Sequence, residues 1–486
     1  MNQFAEAIKT VAEETSNIAF TDKGAITLRS STDEFTDFFA MVGSSRNAPD
    51  AAVEHFKRCY QLDPKLALRI LFWARDARGG AGERAVLRNC LAWMMANGDR
   101  KTLEAIIDAG VIENYGRWDD YIGLMVNATE PVSRKAANHV LAAVKAGNGL
   151  SCKWLPRKGK EAAKIRQLFG MSPKMYRRTL VDGTKVVETQ MCQKNWDGIV
   201  YEHVPSVAMA RYTRAFFKNS AVAFPAYKAK LETGEVKAKA SVLFPYDVLR
   251  TVANGDAAVA DAQWKELPNF IDSDAKLFPI IDVSGSMTAK VSGSVTAMAI
   301  AVSLGIYLAE RNQSAFKDMF MTFETEPKMV QIPKGTIAQR VREVYDAPWG
   351  GSTNLQAAFE LLLATATGFN VPQKDMPEYL FIVSDMEFDQ AVGTYAWAQK
   401  KTDTNFNEID RKFREAGYKR PNIIFWNVHS HGAQVQVTSD KNGTAMISGF
   451  SPSIIRPVLN AEEISPRLIM EQAVMAPRYD VVGLTV

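Results

Sequence analysis

One short apolar run, ending abruptly on a carboxylate, limits what this chain can fold into more than any other feature. Residues 277–281 read Leu-Phe-Pro-Ile-Ile and lead straight into Asp282-Val283-Ser284-Gly285-Ser286. Such a run is the pattern of a strand buried on both faces, and the polar turn marks its carboxyl end. Helix and strand patterns alternate after it. Residues 294–312 read as a helix, 318–332 as strand, turn and strand, and 337–347 and 354–368 as helices. A strand follows at 379–388, a helix at 407–418 and a strand at 422–430. Residues 435–450 predict a hairpin turning at Lys441-Asn442-Gly443, and 451–460 begin a last helix. This alternation predicts an α/β domain over 276–486, with a doubly wound, mostly parallel sheet and its ligand site at the carboxyl ends of the strands.

The first 275 residues have a different rhythm. Segments 51–62, 64–78, 83–98, 100–116, 118–128 and 132–149 place apolar residues three and four apart, and each ends near Gly, Asn or Pro. They predict helices joined by short turns and no strands: an irregular, HEAT-like all-α array over 1–275. Residues 1–17 read as a short amphipathic helix and lack the basic and apolar regions of a secretory signal. No apolar run is long enough to span a bilayer. The cysteines Cys59, Cys90, Cys152 and Cys192 are scattered without a CxxC pair, so buried free thiols in a reducing cytoplasm are expected rather than a zinc cluster or disulfides.

At the end of the 277–281 strand, one carboxylate and two hydroxyls at Asp282, Ser284 and Ser286 can converge on a hard cation, with Gly285 easing the bend. Thr353 in Gly350-Gly351-Ser352-Thr353-Asn354 and Asp385 after the 379–384 strand supply two further oxygens. An all-oxygen set suits Mg²⁺ or Mn²⁺. Neutral hydroxyl ligands leave such an ion able to accept an acidic group from a partner, and no nucleophile with its own base stands nearby, so no enzyme activity is expected. Glu387 with Asp389, and His429 with His431, are weaker alternatives for a second carboxylate cluster or a histidine site.

Charge is unevenly spread. The chain carries a net charge of only +4, yet residues 150–240 hold 18 Lys/Arg against 7 Asp/Glu. Lys153, Arg157, Lys158, Lys160, Lys164, Arg166, Lys174, Arg177 and Arg178 crowd one stretch, with Trp154 and Tyr176 between them. Cations neutralise phosphates and aromatic rings stack unpaired bases, so this segment is a candidate RNA-binding surface; a solvated helix face is the plainer account. Gly79, Gly80 and Gly82 read as a tight turn, and Arg117, Asp119 and Asp120 as structural ion pairs between helices. His55, His139 and His203 have no ligand-spaced partners and are expected to be surface or packing residues.

The three loops at 282–286, 350–354 and 384–385 resemble the metal-ion-dependent adhesion site of von Willebrand A domains. Together with the helical array, residues 68–84, 115–124, 152–156, 195–212, 350–360, 383–391 and 423–428 make the chain similar to the Ro-type proteins, whose TROVE module is a HEAT-like ring closed by an A domain. The likeness is nearest to a Ro-like family of plant, bacterial and phage proteins. It implies a ring or horseshoe that binds small, structured or misfolded RNA as a ribonucleoprotein. A cytoplasmic protein without membrane attachment is expected from the cysteines and hydropathy, and a monomer is favoured, with the oligomeric state left open by the sequence. The alternative is a scaffold that captures an acidic residue of a protein partner through its metal and binds no RNA.

Overall fold

The computed structural model describes residues 17–323, 326–346, 353–388, 405–429 and 435–483. The amphipathic segment expected at 1–17 lies almost wholly outside them.

The sheet domain begins with β3 (Leu277–Asp282), every residue of which is buried. β3 alternates faces: Phe278 and Ile280 join the core on one side of the sheet, Leu277 and Ile281 the core on the other. Both faces are apolar because both are covered by helices. Around β3 lie β6 (Met319–Phe323), β7 (Met329–Gln331), β8 (Tyr379–Ser384), β9 (Asn422–Asn427) and β10 (Thr444–Ser448), in the order β10-β9-β8-β3-β6-β7. All neighbours are parallel except β7, which turns back along β6. The chain leaves β3 toward β6 but leaves β8 toward β9. The switch point of the sheet therefore falls between β3 and β8, where Asp282 and Asp385 stand. Helix Ala297–Arg311 starts on its own cap, Thr296 Oγ1 accepting from Ala299 N at 3.2 Å. It lies close on β3, since a Cβ on Gly305 would come within 2.0 Å of Ile281 Cδ1.

The expected hairpin at 435–450 is not there. β10 is a single strand added parallel to β9, while Val435 pairs instead with Leu28, more than 400 residues earlier in the chain. Leu28 belongs to an antiparallel hairpin of β1 (Ile18–Phe20) and β2 (Ile26–Leu28), strands in a region expected to be helical throughout. A second small hairpin, β4 (Lys290–Ser292) with β5 (Val295–Thr296), also went unforeseen. The segment at 451–460 is not the last helix, because Pro466–Val474 and Asp480–Gly483 follow it.

Residues 34–265 form the helical array. Its helices start on local signals: Asp63 accepts from Lys65 N and Leu66 N ahead of Pro64–Arg75, and Ser172 caps Pro173–Gly183. Both ends of the array pack on the sheet domain. At one end, Glu34–Met41 lies on β10 and Pro466–Val474, and Pro64–Arg75 lies on Asp480–Gly483. At the other, Pro245–Ala253 and Ala257–Lys265 lie on Ala297–Arg311 and Ile337–Asp346. The two ends also converge on Phe450, just after β10. Tyr246 and Phe450 are 5.6 Å apart, Arg46 sits 3.5 Å over Phe450 and bonds Glu83 at 2.7 Å, and Gly82 faces the Phe244 ring. Gly43 is obligatory here, since a Cβ on it would lie 2.1 Å from Gly449 N.

A buried ion network holds the middle of the array. Asp120 accepts from Arg75 Nε at 2.9 Å and Nη2 at 2.7 Å, from Arg88 Nε at 2.7 Å and from Arg117 N at 2.9 Å. Asp76 pairs with Arg478 (Nη2 at 3.0 Å) and Tyr479 Oη (3.0 Å), tying the C-terminal segment to the array. The Gly79–Gly82 stretch is a tight turn: a Cβ on Gly80 would lie 1.9 Å from Trp73 O, and Gly82 has φ +76°. Three cysteines are buried and unpaired, whereas Cys192 is exposed, contrary to expectation. His55 and His139 are half-buried packing residues, each also facing a glutamate distant in sequence, Glu34 at 3.2 Å and Glu113 at 2.7 Å. Among the described residues no helix is long and apolar enough to cross a membrane.

Candidate metal centre

Asp282 ends β3 fully buried, and its carboxylate organises the turn that follows. Oδ1 accepts from Ser284 N at 2.9 Å, and Oδ2 accepts from Ser384 Oγ at 2.5 Å across the switch point. Ser284 Oγ lies 3.0 Å from Ser286 Oγ; Ser284 is buried and Ser286 exposed, so the hydroxyl pair leads from the interior to the surface. Gly285 carries no positive φ and has open space where a Cβ would be, so the bend does not require glycine. Asp385, buried at the end of β8, accepts from Glu387 N at 3.1 Å. Thr353, also buried, donates its hydroxyl to Glu387 O at 2.5 Å. The five expected oxygen donors thus fall into two sets, Asp282–Ser284–Ser286 and the pair Asp385 and Thr353, the latter linked through the backbone of Glu387. Ser384 joins the first set as a residue whose role was not foreseen.

Burial, with the Asp385 charge second, pushes the Asp282 carboxyl up to about 7. A fully buried carboxylate with a second buried carboxylate close enough to act on it favours a proton or a cation nearby. Because the folded value lies above the unfolded one, about 3.9, the folded state binds the proton more tightly. The stability this confers is complete below about pH 4 and lost as pH rises through about 7. In chelator, urea unfolding of Asp282→Asn is expected to lack that part of the wild-type decline. Matching pH slopes in the two proteins would contradict it.

Lys23, in the turn between β1 and β2, had no place in the expected site, yet its Nζ donates to Thr353 Oγ1 at 2.7 Å. Its neighbours bond the same loops, Asp22 N to Glu387 Oε2 at 2.9 Å and Thr21 Oγ1 to Phe388 O at 2.7 Å. The only local signal was Asp22-Lys23-Gly24 between two short alternating runs, a hairpin pattern that says nothing about what the turn touches. Glu387 is engaged with the hairpin, and Asp389 lies outside the described residues. His429 is buried after β9, and His431 is likewise outside them.

The basic stretch is split by the structure. Lys153 pairs with Glu188 at 2.8 Å, Arg157 donates to Thr184 Oγ1 at 3.0 Å, Arg178 pairs with Asp182 at 3.4 Å, and Arg166 is half-buried near Met171 O. Tyr176 is not available for stacking. It is buried, with its hydroxyl on Pro156 O at 3.0 Å, because its ring completes the core beneath Pro173–Gly183. Trp154 is half-buried, with the Arg117 guanidinium 3.8 Å over its ring. Lys158, Lys160, Lys164, Lys174 and Arg177 remain exposed, with no ion-pair partner among the described residues. Lys160 and Lys164 stand one turn apart on Gly159–Leu168, and Lys174 and Arg177 on Pro173–Gly183.

Comparison with known proteins follows the same division of the chain. Residues 277–476 match a family described as domain of unknown function DUF7788, starting on the first residue of β3. A viral relative, the uncharacterized protein L728 of Acanthamoeba polyphaga mimivirus, is 25% identical over 93% of this chain and 86% of its own length. Among solved structures, the chain is similar to the Ro (RSR) protein of Deinococcus radiodurans, at 12% identity and a TM-score of 0.38, over 94% of this chain and 96% of that one. The hairpin and the array, residues 21–142 and 147–277, match the family described as domain of unknown function DUF2828; these segments make up more than half of the chain, which belongs to that family.

Proposed function

We propose that this protein is a non-enzymatic, Ro-like RNA-binding protein whose array holds small or misfolded RNA and whose sheet domain holds a divalent cation. The observation that carries the RNA reading is the set of five uncompensated cations: Lys158 just ahead of Gly159–Leu168, Lys160 and Lys164 on it, and Lys174 and Arg177 on Pro173–Gly183. Like charges one helical turn apart repel, and a polyanion lying along them removes that cost. Their spacing along two helices suits a phosphate backbone better than a single anion. Without Tyr176 as a stacking platform, binding rests on phosphate contacts and tolerates changes of sequence. The sequence resemblance to Ro-type proteins points the same way.

The donor set fits a hard cation. Asp282 and Asp385, both buried, supply charge, and Ser284, Ser286 and Thr353 supply neutral oxygens. Bound there, Mg²⁺ or Mn²⁺ would supply a Lewis-acidic point that accepts one more oxygen ligand. Asp282 and Ser384 fix β3 to β8 beside it, so the ion also braces the domain on which both ends of the array rest.

Fluorescence anisotropy of a labelled single-stranded RNA against rising KCl, with and without EDTA, tests this reading. Affinity is expected to fall steeply with salt and to survive chelation, because the cations lie on the array and not at the metal. Absence of binding at low salt contradicts it. Binding that disappears only with EDTA would favour ligand capture at the metal.

A further inference from the structure

The hairpin of β1 and β2 is not part of the six-stranded sheet, yet it is fastened to the sheet domain at its root and at its tip. At the root, Thr27 Oγ1 donates to Val435 O at 2.7 Å, Leu28 pairs with Val435, and Ala25 is buried against the core of the sheet. At the tip, Thr21, Asp22 and Lys23 bond Phe388, Glu387 and Thr353. The tip therefore touches two of the three loops that would surround the ion, and the half-buried Lys23 ammonium rests on one of its oxygens.

That oxygen has little to spare. Thr353 Oγ1 donates its hydrogen to Glu387 O and already accepts from Lys23, so one lone pair remains. A divalent ion on the same oxygen would stand within a few ångströms of the ammonium. Repulsion between a double and a single positive charge at such a distance far exceeds thermal energy, even at the effective dielectric of a protein surface. The arrangement accommodates one cation or the other at Thr353, not both.

Building on the metal reading above, we propose that Lys23 and the divalent ion exclude each other at Thr353. The ion-free site holds the Lys23 ammonium; loading the ion expels it and releases the Thr21–Ala25 tip from the surrounding loops. Lys23 thereby sets the affinity of the site and passes its occupancy to the N-terminal hairpin. A ligand can differ in affinity between two states only through contacts that differ between them, and the Lys23–Thr353 bond is such a contact.

Isothermal titration of the full chain with Mn²⁺ tests this, using wild type, Lys23→Met, Lys23→Arg and Asp282→Asn. Lys23→Met keeps the stem and removes the charge; because loading then no longer breaks the Lys23–Thr353 hydrogen bond, it is expected to bind Mn²⁺ about tenfold more tightly than wild type. Lys23→Arg keeps the charge and is expected to bind like wild type. Hydrogen exchange gives a second readout. Mn²⁺ should speed exchange in the 17–28 segment of wild type and leave it unchanged in Lys23→Met. Wild-type affinity in Lys23→Met overturns the proposal, as does equal tightening in Lys23→Arg, which would implicate damage to the hairpin rather than charge. Slower hairpin exchange on loading overturns it too. Asp282→Asn separates the two readings. If it binds Mn²⁺ as wild type does, or if neither wild type nor Lys23→Met binds, the metal reading falls and the exclusion with it.

Discussion

Asp120→Ala is expected to destabilise the protein by about 3–5 kcal/mol, the range for removing one partner of a buried ion pair. Asp120 is buried and accepts four donors: two from Arg75, one from Arg88 and the backbone N–H of Arg117. Arg75 is as buried as its partner, so truncating the carboxylate strands a guanidinium with no route to water. Direct attraction is not what makes the effect large, because in a fully formed pair it is mostly offset by desolvation. The leftover charge is. The double variant Arg75→Met with Asp120→Ala is therefore expected to recover part of the loss, and urea denaturation of the single and double variants measures it. Asp119→Ala is expected to cost less, since Asp119 pairs with Arg88 and Arg117 nearer the surface. Equal losses at Asp119 and Asp120 would contradict the burial argument.

Changing Lys158, Lys160, Lys164, Lys174 and Arg177 together to Glu is expected to abolish RNA binding while leaving stability nearly unchanged. All five are exposed and have no ion-pair partner among the described residues, so no native ion pair is lost. The milder change of all five to Gln shows the mechanism. For a single strand each phosphate contact contributes roughly 0.7 to the slope of log affinity against log salt, so the Gln variant should lose about 3.5 from that slope if all five cations contact phosphates. Changing Lys153, Arg157 and Arg178 to Gln is expected to alter the slope far less, because Glu188, Thr184 and Asp182 already engage them. Equal effects from the two sets would show that net charge matters and the exposed face does not.

Most of the fold can be read from local pattern. β3 and β8 declare themselves as apolar runs, and Asp63, Ser172 and Thr296 mark helix starts by their own side chains. What escaped the sequence depends on distant partners. Val435 pairs with Leu28 and not with the strand next to it in the chain, so the turn residues at 441–443 suggested a hairpin that does not form. Lys23 and Thr353 are 330 residues apart, and nothing near either one announces the other. Tyr176 looked like a stacking ring because its neighbours are cationic, but a ring's accessibility depends on what packs beneath it. The candidate ligands were legible as residues because Asp282 ends a strand, Ser284 and Ser286 sit in the turn after it, Asp385 follows a strand and Thr353 precedes a helix. The hairpin resting on them was not.

The most direct test of the central claim is whether the protein purified at low salt carries RNA, measured by absorbance ratio and by sequencing any bound species. A parallel preparation carries Glu at Lys158, Lys160, Lys164, Lys174 and Arg177. RNA that accompanies the wild type and is missing from the variant is the predicted result. A wild-type protein free of RNA, showing no salt-sensitive binding to added RNA, would contradict the claim and leave the Asp282–Asp385 centre as the place to seek a partner.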